Sequence, residues 1–573
     1  MGVFLFCNRV IGTERVEEVF RTRGHKVVKK ESYENMTLLH APKILVENVN
    51  FLNAEALTGE EGDFIMGVGI YFYKGLTREA ALQNIYENIE SILKENSIYG
   101  HWAFVIRKKG RTYILNDMTG SERLYYIING DQITVSNSML AVVATLNQPI
   151  FDKVRLAGYL TSKYAKEIPF VKGVEIFNPL TYLTIQDGQP KWVNRSCPKD
   201  DLKRIESTTD AVNYVKNLFE EQIEQIKAIG NEPISAELTA GLDSRLISSV
   251  LKNGGFNYHF LHFPLFGPDK KIAYLIAEGL KKEIELQEDK EPFNDYSRYY
   301  GEFDYCFNFF NHHANPRRKI TNRLQFTGAW GESIDLPEFY SDERVNLRHN
   351  PKLEVLLKEL TIGSNCKILG HKMQEKWMNY IVGYFNSFGI PIGKDLSEKE
   401  QMDFYWLLVL YLVISRTISA YEAHNDRYSI FSEWHFNYFV RNIAFSAKEG
   451  RRLTLALIKT FDPELASFPF ISRVITAGSS VQETEALPIQ YRLGTIGSLK
   501  SMMPDWMVEI YKIFRGVRFN KEYLAQIDFD TYADVVNVKR LQKYPGMYKT
   551  VLERLFSVEI LRNKMQIMMQ NSL

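Results

Sequence analysis

The amino-acid sequence predicts an α+β region with stacked sheets, then an α/β region in which helices cover a parallel sheet, and a helical C-terminal part. Up to about residue 190, short apolar segments bounded by glycines are typical of strands. Beyond about residue 198, strands alternate with helices, which is the pattern of βαβ units. From about residue 353 onward the apolar spacing is mainly helical, with no strong strand signal. We place the two domains at residues 1–195 and 205–573.

Alternating and glycine-bounded patterns predict the strands of the first region. They are Met1–Phe6, Ile65–Tyr73, Trp102–Arg107, Arg111–Leu115 and Gln132–Ser136. Gly110 lies between the third and fourth of these and predicts a hairpin turn. One clear helix, Thr77–Asn96, begins at Thr77 as N-cap with Glu79 in its first turn. A further apolar stretch, Ser138–Leu146, has helical spacing.

The second region opens with a predicted helix at Ser207–Ile229 and continues with four strands. The strands are Pro233–Leu238, Tyr258–Leu265, Ile284–Leu286 and Leu324–Thr327. Helices are predicted from Gly241 through Leu251 and at Lys270–Lys282. The most apolar run, Phe404–Ile414, is shorter than the ~20 residues that cross a bilayer, so we expect a buried helix and no membrane span.

Composition is that of an ordinary soluble protein. Of 573 residues, 45% are hydrophobic and 24% charged, and the formal net charge of +1 gives no reason to expect a nucleic-acid partner. The four cysteines, Cys7, Cys197, Cys306 and Cys366, have no metal-ligand spacing. Together with the lack of a signal-peptide pattern, this favours a reduced, cytoplasmic protein.

The loop Thr239–Ser244 carries the clearest chemical pattern. It joins the first strand of the predicted parallel sheet to a helix N-terminus, whose unpaired N–H groups and positive dipole end attract anions. Gly241 allows close approach of the backbone, and the hydroxyls of Thr239 and Ser244 are hydrogen-bond donors. Asp243 would repel phosphate, which implies a bound Mg²⁺ between them. The alternative is a simple strand–helix turn with a capping serine.

The stretch Glu237–Leu246, ELTAGLDSRL, resembles the pyrophosphate-binding loop of the asparagine synthetase superfamily, with Thr239 and Ala240 replacing Ser and Gly. The superfamily includes β-lactam synthetases and lasso-peptide cyclases. The resemblance implies an adenine nucleotide α-hydrolase-like, Rossmann-like synthetase domain with ATP and Mg²⁺ as cofactors. The residues it assigns to the nucleotide are Leu238, Thr239, Ala240, Gly241, Leu242, Asp243 and Ser244. Backbone groups near His262 and Phe263 are expected at the adenine, because such ligands lie beyond the carboxyl ends of parallel strands.

Three further segments are similar to superfamily motifs and follow in the same order. Asp269 and Ala273 match an Asp-xxx-Ala helix, and residues 461–466 match a late helix end that contains proline. Residues 327–332, TGAWGE, stand where the family has an acidic loop, which implies that Gly328 contacts the nucleotide and that Glu332, with Asp243, binds the metal. Asp335 is the weaker candidate for that role.

The first region resembles the glutaminase domain of the same enzymes, an Ntn-hydrolase-like sandwich. Segments 99–104, 116–126 and 170–185 carry this resemblance. The glutaminase requires a cysteine that becomes the first residue after removal of Met, because its α-amine acts as the base for its own thiol. Gly2 occupies that position, and Cys7 on the first strand has no free α-amine. We therefore expect an inactive scaffold and a nucleophile other than glutamine-derived ammonia.

The residues that would complete the reaction are less clearly marked. The family has a lysine in its C-terminal region that stabilises charge; the corresponding segment here contains Arg473 and no lysine, and Lys500 is the next lysine downstream. His424 falls where the family builds part of its acceptor pocket and is a candidate base. The alternatives are solvated surface charges for the two cations and a structural role for the histidine.

Three functions follow from these observations. The first is an ATP-dependent, AMP-forming ligase that joins an unidentified carboxylate to an amine, in a small molecule or a peptide. The second is a catalytically silent protein that binds a nucleotide or a partner, which the missing cysteine favours. The third is sulfur transfer, which would need a persulfide at Cys306 or Cys366 and has no supporting motif. The oligomeric state stays open, with a homodimer as one form.

Overall fold

The computed structural model describes most of both predicted regions. The described residues are 2–42 except 24, 26 and 34, 54–59, 62–195 except 163, 203–262, 267–286, 324–334, 352–357 except 356, 364–390, 394–415, 427–469, 524–545 and 548–570.

Two antiparallel sheets form the first region. Its strands are β1 (Val3–Cys7), β2 (Lys29–Tyr33), β3 (Met36–Ala41), β4 (Ala54–Thr58), β5 (Phe64–Tyr73), β6 (Leu76–Thr77), β7 (Tyr99–Lys108), β8 (Arg111–Asn116), β9 (Tyr125–Asn129), β10 (Gln132–Ser136), β11 (Glu175–Ile176), β12 (Thr181–Gln186) and β13 (Gln189–Asn194). One sheet has the order β11-β9-β10-β1-β3-β2, and the other has β13-β12-β8-β7-β5-β4 with β6 on β5. The five predicted strands and the β7–β8 hairpin are therefore confirmed.

A shared hydrophobic core shows that the two sheets are stacked. Phe4 and Phe6 of β1 belong to the same buried cluster as Met66 of β5 and Val105 of β7. Because neighbouring strand residues point to opposite faces, Leu5 belongs to a different cluster on the outer face. The predicted α+β arrangement of stacked sheets is confirmed.

Four α-helices accompany these sheets within the described residues of the first region, where the sequence predicted one clear helix and one apolar helical stretch. They are α1 (Glu14–Thr22), α2 (Arg78–Glu95), α3 (Met139–Ala144) and α4 (Lys153–Thr161). Thr77 precedes α2 as predicted, but its side chain does not cap the helix; the hydroxyl donates to the Tyr71 carbonyl at 3.0 Å instead. Helix α4 was missed although Asp152 caps it through the amides of Val154 and Arg155, a local signal in the sequence.

A five-stranded parallel sheet organises the second region. Its strands are β14 (Ile234–Glu237), β15 (Tyr258–His262), β16 (Ile284–Leu286), β17 (Leu324–Phe326) and β18 (Arg427–Tyr428). The four predicted strands are present. The chain after residue 353 was predicted to be mainly helical with no strong strand signal, and the one short strand described there, β18, pairs with β17 in parallel. A two-residue strand is too short to show a periodic pattern in the sequence.

Helices make up most of the rest of the described chain. They are α5 (Thr208–Ile226), α6 (Leu242–Asn253), α7 (Gly267–Gly279), α8 (His371–Asn386), α9 (Glu398–Tyr405), α10 (Trp434–Val440), α11 (Phe445–Lys448), α12 (Arg452–Phe461), α13 (Pro463–Ala466), α14 (Val538–Lys543) and α15 (Lys549–Gln570). The apolar run after α9 continues as a π-helix, Trp406–Ser415. Within the described residues, no helix is long and apolar enough to cross a membrane.

The C-terminal helix α15 packs against the first region of the chain. Leu552 and Leu555 share a buried cluster with Leu156 and Leu160 of α4. Arg554, which is 4% exposed, donates hydrogen bonds to the carbonyls of Tyr159 at 2.6 Å and Ser162 at 2.8 Å. Helix α15, although it lies near the end of the chain, therefore contributes to the hydrophobic core of the first region.

Candidate functional site

The order of the parallel strands defines one special position on the sheet. The order is β16-β15-β14-β17-β18, so the chain moves outward on one side of β14 and then continues on the other side with β17. In sheets of this kind, the loops that leave the two central strands diverge and open a crevice beyond their carboxyl ends. The loops after β14 and β17 therefore frame this crevice.

The loop after β14 is the Thr239–Ser244 segment. Helix α6 begins directly after Gly241, and this N-cap residue has no side chain that could cap the helix. Uncapped N–H groups at a helix start can bind an anion. The Thr239 and Ser244 hydroxyl oxygens lie 3.0 Å apart, and the amides of Thr239 and Gly241 donate to Ser244 Oγ and Thr239 Oγ1, both at 3.1 Å. The two hydroxyls therefore hold the loop in a tight turn.

Asp269, in the first turn of α7, holds the same loop by a hydrogen bond from the helix that follows β15. Its Oδ1 accepts a hydrogen bond from the Ala240 amide at 2.5 Å. The side chain is only 5% exposed, and Oδ2 has no hydrogen-bond partner among the described residues. Burial of a carboxylate oxygen without a hydrogen-bond partner destabilises the fold, so Asp269 Oδ2 is an acceptor that a ligand or a water molecule would satisfy.

Arg245 follows the loop and anchors it to the segment after α13. Its guanidinium donates to the carbonyls of Phe468 at 2.8 Å and Pro469, and more weakly to Ala240 at 3.4 Å. The side chain is 1% exposed, and burial lowers its pKa to about 10 against the opposing effect of Asp269. This contact connects the loop to a part of the chain more than 220 residues away.

The loop after β17 packs directly on the N-terminus of α6. A Cβ atom built on Gly328 would lie 2.9 Å from the Ser244 amide nitrogen, and one built on Gly331 would lie 2.6 Å from Asp243 Cβ. Trp330, between them, is fully buried and has a positive φ of 72°. The short helix Gly331–Ser333, which contains Glu332, therefore starts beside Asp243.

A buried ion pair connects the carboxyl ends of β14 and β18. Arg427 on β18 donates to Glu237 Oε1 at 2.6 Å and to Thr327 Oγ1 at 3.1 Å, and the Thr327 hydroxyl donates to Glu237 Oε2 at 2.7 Å. Both charged side chains are about nine-tenths buried. This network was not predicted from the sequence. The one local signal for it is that Glu237 is a charged residue at the end of an apolar strand.

The predicted site residues are only partly within the described chain. Residues 238–244 and Gly328 meet at one edge of the sheet, as described above. His262 ends β15; its Nδ1 bonds with the Leu238 carbonyl at 2.8 Å, and its buried Nε2 has no partner among the described residues. The backbone of Glu332 is described but its side chain is not. The remaining predicted residues lie outside the described chain: Phe263, Asp335, His424, Arg473 and Lys500.

Asp243 and Asp269 are described residues at this edge that would hold an Mg²⁺ ion, which would supply positive charge to offset a bound phosphate. Asp243 and Asp269 supply carboxylate oxygens close to an uncapped helix end, and Mg²⁺ commonly uses one or two carboxylates with substrate phosphates and water. Within the described residues, there is no group of three or more His, Cys, Asp or Glu side chains that would form an all-protein metal site.

The described thiols lack the features of nucleophiles. Cys7 is fully buried on β1, and burial raises its pKa. Cys366 is half-buried, and burial raises its pKa as well. A raised pKa lowers the thiolate fraction, so neither residue supports the sulfur-transfer hypothesis. Cys306 lies outside the described residues.

Comparisons with known proteins give little beyond these observations. No protein-family model matches the chain, and none of the curated proteins matches it. Among solved structures, glutamine phosphoribosylpyrophosphate amidotransferase from B. subtilis, complexed with ADP and GMP, is 10% identical over 58% of this chain and 77% of its own, with a TM-score of 0.22. An allosteric regulatory enzyme of purine biosynthesis is 10% identical over 60% and 76%, with a TM-score of 0.23. Likenesses this distant carry no information about the activity of this chain.

Proposed function

We propose that the crevice between β14 and β17 binds ATP and that the protein is an AMP-forming ligase, which joins a carboxylate to an amine. The observation that carries the proposal is the meeting of two loops, 239–244 and 328–331, around Asp243 at the N-terminus of α6. A free helix N-terminus at the point where the strand order reverses is a favourable site for the phosphates of a nucleotide.

The proposed reaction has two steps. A carboxylate oxygen of the substrate attacks the α-phosphorus of ATP, the bond from that phosphorus to the bridging oxygen breaks, and pyrophosphate leaves. The amine nitrogen then attacks the acyl carbon, AMP leaves with the bonding electrons, and the amine loses one proton. Hydrogen-bond donors placed where negative charge develops accelerate both steps.

Each part of the crevice has a role in this proposal. The N–H groups at the start of α6 and the hydroxyls of Thr239 and Ser244 would hold the pyrophosphate. Asp243 and Glu332 would bind Mg²⁺, which supplies positive charge that offsets the phosphates when it is bound. Backbone groups near His262 would contact adenine.

The residues proposed for the chemistry beyond the nucleotide are Arg473 or Lys500 as the cation and His424 as the base toward the amine. The first region would act as a scaffold for the second. The amine would come from a larger substrate, or from the same molecule as the carboxylate.

The test is ATP–pyrophosphate exchange across a panel of carboxylic acids and peptides, with wild type and Asp243→Asn. The substitution removes one charge with little change in size, so we expect exchange to fall by ~100-fold or more while the fold persists. Asp187→Asn is the control, because Asp187 is exposed in a turn with φ of 51°, which Asn tolerates. Equal exchange in wild type and Asp243→Asn would contradict the proposal.

A catalytically silent nucleotide-binding protein is the second candidate. The observation that favours it is that the segment that matches the family's lysine region contains Arg473 and no lysine, because an arginine does not donate a proton as a lysine can. For this candidate we expect ATP to bind in a titration and Asp243→Asn to change its affinity, with no exchange for any acid. If wild type binds no ATP, both candidates fail.

A further inference from the structure

The hydroxyl of Thr327, directly after β17, has hydrogen-bond partners in three different segments. It donates to Glu237 Oε2 at 2.7 Å, and it accepts from Arg427 Nη2 at 3.1 Å and from the Ala329 amide at 3.3 Å. A hydroxyl has one proton to donate and two lone pairs to accept with, so these partners use its whole capacity. The side chain is only 2% exposed. Thr327 therefore joins the end of β14 and the start of β18 to the loop after β17.

The short strand β18 leads to a second contact with the same loop. Ser429 follows β18 in an extended conformation, and its hydroxyl donates to the Ala329 carbonyl. Because Arg427 and Ser429 are two positions apart in an extended segment, their side chains lie on the same face of it. The amide of Ala329 is thus held by Thr327 and its carbonyl by Ser429. Both backbone polar groups of this loop residue are fixed by side chains from neighbouring segments.

The loop that is held in this way packs against Asp243. Gly328 and Gly331 lie on either side of the held residue, and Cβ atoms built on them would lie 3.2 Å and 2.6 Å from Asp243 Cβ. Protein interiors are close-packed, so a shift of one segment displaces the atoms that touch it. The other end of the network also reaches this site, because Glu237 is two residues before Thr239 in the chain. A displacement of the loop after β17 would therefore move the Asp243 carboxylate.

The placement of the Glu237–Arg427 pair fits a positional role. The pair reaches across β17, since the strand order is β14-β17-β18. A buried ion pair is weak evidence for stability, because the loss of hydration of the two charges offsets their attraction. Its hydrogen bonds do have fixed directions, and they fix the spacing of three strand ends at the place where the two loops of the crevice leave the sheet.

We propose that Thr327 is a positioning residue for the nucleotide site. Its hydroxyl transmits the position of the Glu237–Arg427 pair to the loop after β17, and this loop sets the position of the Asp243 carboxylate. The functional part of this inference rests on the proposed binding of ATP with Mg²⁺ at Asp243. Thr327 acts through Asp243 and does not touch the nucleotide itself, so loss of its hydroxyl should change the Mg²⁺ requirement of the reaction.

The first test needs no ligand. Amide hydrogen exchange of the full chain is measured for wild type, for Thr327→Val, which keeps the branched shape without the hydroxyl, and for Thr327→Ser, which keeps the hydroxyl. We expect exchange in residues 328–334 and 239–245 to be about ten-fold faster in Thr327→Val and within about two-fold of wild type in Thr327→Ser. Unchanged exchange in residues 239–245 of folded Thr327→Val would overturn the inference, whether or not the protein binds ATP.

Thr161→Val is the matched control for this substitution. Thr161 is 3% exposed, and its hydroxyl donates to the Ala157 carbonyl at 2.7 Å within helix α4 of the first region. The change removes a buried hydroxyl from a threonine that has no contact with the crevice loops, so exchange in residues 328–334 and 239–245 should stay as in wild type. If Thr327→Val does not fold, as judged by near-ultraviolet circular dichroism, Ser429→Ala is the second variant. It removes the contact with the Ala329 carbonyl, and it should accelerate exchange in the same two segments.

The second test follows ATP–pyrophosphate exchange at increasing Mg²⁺ concentration. Thr327→Val should raise the Mg²⁺ concentration for half-maximal exchange about ten-fold, because a small displacement of a ligand group impairs the site, and Thr327→Ser should restore it. Exchange in wild type with the same Mg²⁺ dependence in Thr327→Val would contradict the inference and leave the proposed function standing. If wild type neither binds ATP nor exchanges, the proposed function fails together with the functional part of this inference. The contact from Thr327 to residues 239–245 is then decided by hydrogen exchange.

Discussion

Gly331 lies against the side chain of Asp243, so that a methyl group at residue 331 would come within 2.6 Å of Asp243 Cβ and 2.7 Å of its Cγ. Real Cβ atoms do not approach other atoms this closely, so the contact requires glycine. The two residues are 88 positions apart in the sequence and belong to the loops after adjacent strands. The position of the Asp243 carboxylate is therefore set by the loop after β17 as well as by its own helix.

The first prediction concerns Gly331→Ala. The added methyl group should displace the Asp243 side chain, so we expect ATP–pyrophosphate exchange to fall by at least ~10-fold, since misplacement by about 1 Å is enough to impair catalysis. The free energy of unfolding should fall by ~1–3 kcal/mol because the contact is overpacked. Exchange assays and urea unfolding measure the two effects.

Gly383→Ala is the control for this prediction. Gly383 lies inside helix α8, and no atom would contact an added Cβ within 4 Å. Alanine should leave exchange unchanged and raise stability by ~0.4–1 kcal/mol through the unfolded chain. If Gly331→Ala retains full exchange, the Asp243 carboxylate does not need its observed position.

The second prediction concerns Arg245→Met. This change keeps an apolar stem but leaves the carbonyls of Phe468 and Pro469 without their charged donor. We expect the free energy of unfolding to fall by ~2–4 kcal/mol, because hydrogen bonds to a charged group contribute ~1.5–3 kcal/mol each and partly overlap here. Urea unfolding at pH 7 measures the loss.

Arg452→Met provides the comparison on the surface. Arg452 is exposed at the start of α12, so its replacement should change stability by no more than ~0.5 kcal/mol. A loss below ~1 kcal/mol for Arg245→Met would mean that the buried guanidinium does not hold the two segments together.

The third prediction concerns the buried carboxyl of Glu433, at the contact between the two regions. It accepts hydrogen bonds from the Tyr428 hydroxyl and, at 2.8 Å, from the Gly100 amide, and it is 2% exposed. Burial raises its pKa to about 8, although both hydrogen bonds lower it. The folded protein therefore holds a proton on Glu433 at pH values where the unfolded chain, with a pKa near 4.5, has lost it.

This difference fixes the sign of the pH dependence. Between pH ~4.5 and ~8 the folded state binds more protons at Glu433 than the unfolded state, so this residue makes stability fall as pH rises, by about 1 kcal/mol per pH unit. Glu433→Gln, a neutral side chain of the same shape, should remove this slope. Urea unfolding of both proteins at intervals from pH 5 to 9 tests it.

The comparison between the two proteins isolates Glu433 from other titrating groups. His101 is fully buried, and burial lowers its pKa to about 4 from the value of 6.5 expected in the unfolded chain. Between these two pH values the unfolded state binds more protons at His101, so this residue makes stability rise with pH. This contribution occurs in both proteins and cancels in the difference. Parallel pH profiles for wild type and Glu433→Gln would show that the carboxyl is not held protonated.

Local patterns in the sequence were sufficient for most elements near the candidate site. Strands β14 and β15 were predicted from short apolar runs, and helix α6 from the glycine and apolar spacing that follow β14. Two kinds of element were not predicted: very short ones, and ones that are stabilised mainly by packing against distant parts of the chain. Strand β18 has two residues, and helix α1 is stabilised by burial of Val16, Val19 and Phe20 against the outer face of a sheet.

The sequence by itself determined that a glycine-containing loop at 239–244 would connect a strand to the start of a helix. The formation of these three elements depends on neighbouring residues and on backbone preferences. Only the tertiary structure decided what surrounds that loop. Asp269, Gly331 and the Glu237–Arg427 pair reach it from other segments, and their approach depends on strand order and on packing across the sheet. Such contacts join residues 29 to 190 positions apart, which no local pattern encodes.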